Sequence, residues 1–93
     1  MNALTTMIPE RTDYNGWANH ATWNVALWIG NEEAIYRVAL DYVRHCERYG
    51  NAPSYDALIP TLECCFGQMT PDGTRWMNPE LDTDELDEML AEL

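Results

Sequence analysis

Apolar residues recur at helical spacing in four stretches of the chain, separated by short segments rich in Gly, Pro, Asn and Asp. The clearest is residues 32–49. Ile35, Val38, Ala39, Tyr42, Val43, Cys46 and Tyr49 fall three and four apart and form one continuous stripe. Asn31 is the expected cap, Glu32 and Glu33 lie in the first turn where the helix dipole favours anions, and Gly50 is the expected stop. Glu33 and Arg37 make a favourable i,i+4 pair on the opposite face.

The stretch before it, His20–Ile29, reads two ways. Trp23, Val25, Leu27 and Ile29 alternate as in a strand, whereas Ala21, Ala26, a capping Asn19 and a closing Gly30-Asn31 select a helix. Helix is the preferred reading. A third helix starts after Ser54 and carries Tyr55, Leu58, Ile59, Leu62 and Phe66; Pro60 divides it into one interrupted helix or two short pieces, and Gly67 ends it.

Thr70-Pro71-Asp72-Gly73 is a turn, either the tip of a small hairpin spanning residues 65–77 or a plain loop. The last helix lies within residues 80–93, opened by Asp82 and Glu85 as a capping box and apolar at Leu86, Met89, Leu90 and Leu93. Residues 1–16 read as an extended lead-in ending in the Asn15-Gly16 turn. The expected fold is a single mainly α domain over residues 1–93, a small bundle of about four helices.

Composition supports a folded chain. Four Trp, five Tyr and one Phe in 93 residues, with 46% hydrophobic residues, exceed what acidic disordered chains carry. Charge then narrows the function. Sixteen Asp and Glu oppose five arginines and no lysine, a formal net charge of -11. Direct nucleic-acid binding requires cations that neutralise phosphates, so DNA, RNA and anionic membranes are poor partners. A basic protein surface is attracted by the same field. The expected partner is therefore a basic nucleic-acid-binding protein.

Seven acids crowd into residues 80–92: Glu80, Asp82, Asp84, Glu85, Asp87, Glu88 and Glu92, with no base among them. Asp84/Glu88 and Glu88/Glu92 are like-charge i,i+4 pairs that cost roughly 0.2–0.5 kcal/mol each. Glu88 and Glu92 also sit toward a helix C-terminus, where anions are disfavoured. A face serving solubility alone would admit lysines more readily. Carboxylates one turn apart rise about 6 Å, close to two axial steps of about 3.4 Å along a nucleic-acid strand. This row is the candidate partner-binding site, and charge reversal at Asp84, Asp87 and Glu88 is expected to abolish binding while sparing the fold. Glu32 and Glu33 extend the surface, although first-turn acids also have a complete structural explanation.

No other chemistry is legible. Trp17, Trp23 and Trp28 with Tyr14 form an aromatic cluster assigned to core packing, and Asn15, Asn19 and Asn24 are assigned to caps and buried hydrogen bonds. His20, His45 and the cysteines Cys46, Cys64 and Cys65 lack zinc-ligand spacing. No nucleophile with a positioned base and no nuclease-like carboxylate–lysine pattern can be drawn. No enzyme activity, cofactor or metal is expected. The cysteines suggest no disulfide framework, and no signal peptide or membrane span is visible, so a reduced cytoplasm is the expected location.

Two stretches carry a resemblance. Residues 14–29, YNGWANHATWNVALWI, resemble the N-G-W-x-N-x-x-T-W-N-V-A-L-W opening of small proteins found in bacteriophages and mobile elements. Residues 70–93, TPDGTRWMNPELDTDELDEMLAEL, are similar to the acidic end of some of those proteins. The resemblance implies phage origin and the cytoplasm of a bacterial host; it implies no activity. Small, very acidic phage proteins without a catalytic motif are often counter-defence inhibitors. The leading expectation is accordingly an anti-CRISPR inhibitor that blocks target-DNA or PAM recognition by a type I surveillance complex through DNA mimicry. The alternatives are an anti-restriction DNA mimic, a phage structural or regulatory adaptor whose acidity serves solubility, and, least supported, a carboxylate–metal enzyme.

Overall fold

A computed structural model describes residues 16–93. The lead-in over residues 1–15, with Tyr14 and Asn15, lies outside the described residues. Four helices follow: α1 (His20–Asn31), α2 (Glu33–Arg48), α3 (Tyr55–Phe66) and α4 (Thr83–Ala91). The architecture is the expected small helical bundle. α4 packs on α1, α2 and α3, whereas the backbones of α1 and α3 make no close approach.

The ambiguous first segment is a helix. Asn19 caps it, its side-chain oxygen accepting the Thr22 N–H at 2.8 Å. Gly30 lies inside the helix rather than ending it. The junction with α2 differs from expectation. Asn31 is the last residue of α1 and donates its amide to the Leu27 carbonyl. Glu32 is the cap of α2: its carboxylate accepts the Ile35 N–H at 3.1 Å, and its carbonyl accepts the Tyr36 N–H at 2.8 Å. A carboxylate is a stronger acceptor than an amide at the positive end of a helix, and this one reaches the third residue of the first turn.

α2 ends as its glycine predicts. Gly50, at φ 73°, lets the Asn51 N–H reach the Cys46 carbonyl at 2.8 Å while its own N–H reaches Glu47. Tyr49 stands outside the buried stripe, 64% exposed. α3 is one continuous helix despite Pro60. Proline removes the bond to the Asp56 carbonyl, but both residues face solvent, where water can serve that oxygen.

The hairpin contracts to a loop. α3 runs through Cys65 to Phe66, and a single antiparallel bridge, Met69 to Arg75, closes the turn. Across it the Thr70 N–H donates to the Thr74 carbonyl at 2.7 Å, and the Gly73 N–H to the Thr70 carbonyl at 2.8 Å.

The core joins Val25 and Ile29 of α1, Ile35, Ala39 and Val43 of α2, Tyr55, Leu58 and Leu62 of α3, and Leu86 and Leu90 of α4. Its largest member, Trp76, comes from the loop before α4 and is wholly buried. Its indole donates to the Gly67 carbonyl, and its own carbonyl accepts the Tyr55 hydroxyl at 2.7 Å. Trp17 and Trp28 pack against this core half-buried, and the Trp23 ring lies 5.4 Å from that of His20. The tryptophan that anchors the interior is thus one outside the predicted cluster.

Candidate functional site

The nine acids proposed for partner binding divide into two groups by what their carboxylates already hold. Asp82 caps α4 by accepting the Glu85 N–H at 3.1 Å, half of the expected capping box. The other half is replaced by tertiary bonds: the Asp82 N–H donates to the Thr22 hydroxyl, and Glu85 Oε1 accepts the Ala18 N–H at 2.9 Å. Asp87 accepts the Tyr55 N–H at 2.6 Å, so it caps α3 from a neighbouring helix. Ser54, the expected cap there, makes no side-chain bond. Glu32 caps α2, and Glu33 pairs with Arg37 at 3.2 Å on an exposed face.

The second group is Glu80, Asp84, Glu88 and Glu92. All four are exposed, and no ion pair or side-chain hydrogen bond engages their carboxylates among the described residues. α4 has no basic residue in its last turn. The described arginines lie elsewhere: Arg37 and Arg44 are paired with Glu33 and Glu47 along α2, Arg48 follows at its end, and Arg75 is in the loop before α4, opposite Met69. Asp87 holds the start of α3, so the triple charge reversal through Asp87 also removes a cap of the fold; on α4 itself the exposed acids are Asp84, Glu88 and Glu92.

A cavity of about 330 Å³ lies at the end of this acidic row, lined by Gly16, Trp17, Glu85, Glu88, Met89 and Glu92. Sequence reasoning found its acids but not its indole, because Trp17 is 71 positions away from Glu88. A separate apolar cleft of about 520 Å³ is lined by Trp28, Ala34, Ile35, Phe66, Met69 and Pro71, with Glu32 at its edge.

The two motif stretches turn out to be two sides of one internal joint. Asn24, buried in α1, donates its amide N–H to Asp72 at 2.8 Å and accepts the Thr70 hydroxyl at 2.7 Å. The Trp28 indole donates to the same Asp72 oxygen at 2.9 Å. Asn19 donates to the Glu80 carbonyl, and Thr22 receives Asp82 as described. The Asn24 amide, then the Trp28 indole, hold the Asp72 carboxyl below the usual aspartate range, with His20 nearby adding to the effect. Asn19, Thr22, Asn24 and Trp28, with Thr70 and Asp72, therefore have structural employment.

The family of unknown function DUF7249 matches residues 10–93. The chain belongs to that family. The matched span contains all four helices and the whole of both motif stretches. Comparison with curated proteins and with solved structures finds no match. Among the described residues no group of three or more His, Cys, Asp and Glu is placed to hold a metal ion, and no helix is long and apolar enough to cross a membrane.

Proposed function

We propose that this family member is a stoichiometric inhibitor that occupies a basic nucleic-acid-binding surface of another protein, with the exposed carboxylates of residues 80–92 standing in for phosphates. The observation that carries this reading is the state of Glu80, Asp84, Glu88 and Glu92: four exposed acids with no ion pair among the described residues, on a segment without a single base. Asp84, Glu88 and Glu92 follow one another at one-turn intervals, about 6 Å of rise each. Keeping like charges at that spacing opposes helix stability, so a gain elsewhere is required to explain them. A cationic partner supplies it.

The resemblance of both motif stretches to phage proteins directs the choice of target. A type I CRISPR surveillance complex, at the subunit that reads the PAM, is the target proposed, which makes the protein an anti-CRISPR DNA mimic working in the host bacterial cytoplasm. The test is a competition: the protein is titrated into surveillance complex with PAM-bearing DNA at two salt concentrations. Loss of DNA binding near one equivalent, weaker at higher salt, supports the reading. Undiminished DNA binding at large excess removes this target.

The apolar cleft favours a second reading, a protein–protein adaptor. Met69, 46% exposed, lines it together with Trp28, Ile35 and Phe66. Association that is insensitive to salt and lost on Met69→Glu would select the adaptor.

A further inference from the structure

We propose that the cavity beside α4, lined by Trp17, Met89, Glu88 and Glu92, is the seat for an arginine side chain of a protein partner. The proposal rests on the acidic-surface reading above and picks out, on the exposed acidic face of α4, a concave place with an aromatic wall.

Three features of the cavity define its occupant. Its apolar lining is an indole and a thioether, Trp17 and Met89, both half-buried and packed against the core. The strand of chain bearing Trp17 is held in place by the Ala18 N–H on Glu85 Oε1 and by Asn19 bridging to the Glu80 carbonyl. Its anionic lining is Glu88 and Glu92, whose carboxylates accept no hydrogen bond among the described residues, together with Glu85, whose Oε1 accepts the Ala18 N–H. The C-terminal end of α4 adds the negative end of the helix dipole at the same place.

An indole beside exposed carboxylates is the complement of a guanidinium. Its planar cation stacks on indole, its methylene stem covers apolar surface, and its forked donors suit paired carboxylate oxygens. A nucleotide phosphate would be repelled from the same cavity. Lysine fits less well, because its compact, strongly hydrated ammonium neither stacks nor bridges two acceptors. An arginine seated here would also relieve the Glu88/Glu92 repulsion that the free protein carries. The partner implied is a protein surface with an exposed arginine, as nucleic-acid-binding surfaces present.

The test is a titration of ¹⁵N-labelled protein with capped Gly-Arg-Gly, Gly-Lys-Gly and Gly-norleucine-Gly peptides, followed by NMR. The expected result is a saturable shift of the Trp17 indole N–H and of the Gly16, Glu88 and Met89 amides with the arginine peptide, smaller with lysine and absent with norleucine. Trp17→Leu is expected to weaken arginine binding about three- to fivefold, and Glu88→Gln/Glu92→Gln, which leaves the caps intact, to abolish it. Shifts spread equally over Glu47, Asp56 and Glu63, equal binding of lysine, or unchanged affinity in both variants would overturn the proposal. The titration requires no partner protein, so the two readings fail separately. Arginine binding without DNA competition keeps the seat and removes the mimicry; competition that survives Trp17→Leu, in a protein that binds no arginine peptide, does the reverse.

Discussion

Asn24 and Asp72 are joined by a 2.8 Å hydrogen bond across 48 positions of sequence, and the contact ties the turn after α3 to the face of α1. The Asn24 amide cannot be reversed, because its oxygen accepts the Thr70 hydroxyl while its nitrogen donates to Asp72. Asn24→Asp therefore replaces a donor by a second carboxylate facing the first. We expect a loss of about 1–3 kcal/mol at neutral pH. The loss should shrink as pH falls below about 4, where the two carboxyls can share a proton. Urea denaturation at several pH values measures both effects.

In the native sequence the same site has the opposite pH dependence. The folded state holds the Asp72 carboxyl below its ordinary range, through Asn24, then Trp28, against a small opposing desolvation. A group whose folded pKa is depressed adds stability above its unfolded value, and that stability is lost as pH falls through the folded one. The Asp72 contribution should thus be complete at neutral pH and fade as pH falls below about 4 toward the lower folded value. The Trp28 indole N–H resonance should shift in the same acidic titration. In Asp72→Asn that shift should be absent.

Tyr55 and Trp76 set the interior of the molecule. Both side chains are fully buried, and the tyrosine hydroxyl donates to the Trp76 carbonyl at 2.7 Å. Burial, then the charges of Asp56 and Glu63, push the hydroxyl well above the ordinary tyrosine range, so it remains a donor throughout the working pH range. Tyr55→Phe keeps the ring and strands a buried carbonyl. The expected cost is about 1–3 kcal/mol with an unaltered helical spectrum, read by thermal melting with circular dichroism.

Gly30 offers a gain of stability. It is a helical residue with ordinary φ, and a Cβ there would meet only Met89 Cε, at 3.6 Å, an ordinary contact. Gly30→Ala should raise stability by about 0.5–1 kcal/mol, since alanine loses less backbone freedom on folding. The same measurement tests how closely α4 lies on α1, because a tighter approach would turn the gain into a loss.

Where sequence order and spatial order coincide, the fold was readable. The α2 stripe, the Asn19 cap and the Gly50 stop all depend on residues within a few positions of one another. Contacts across the chain were not readable. Nothing local to Asp87 reveals that it caps α3 in place of Ser54, and nothing local to Glu85 reveals that it holds the Ala18 N–H. The capping box was half right for this reason: Asp82 does its part, but Thr22 and Ala18 compete successfully for the rest. Likewise Asn31 lost the α2 cap to Glu32, a choice between neighbours that only the chain geometry decides. The candidate site was legible as a charge run; separating its structural acids from its exposed ones required the fold.

That separation gives the most discriminating prediction. Glu88 and Glu92 sit at the wrong end of α4 for the helix dipole and one turn apart, so neutralising them should stabilise the protein. Glu88→Gln/Glu92→Gln is expected to gain up to about 1 kcal/mol, measured by urea denaturation at low salt, and to shrink as salt screens the repulsion. If these acids serve a partner, the same double variant should lose inhibition of DNA binding while becoming the more stable protein. Asp87→Ala should behave in the other way, losing stability by about 1–2 kcal/mol with the end of α3 uncapped. Opposite signs for stability and binding in the Glu88/Glu92 variant would separate acids kept for a partner from acids kept for the fold. A double variant that is more stable and still fully inhibitory would leave this carboxylate row with no role in recognition.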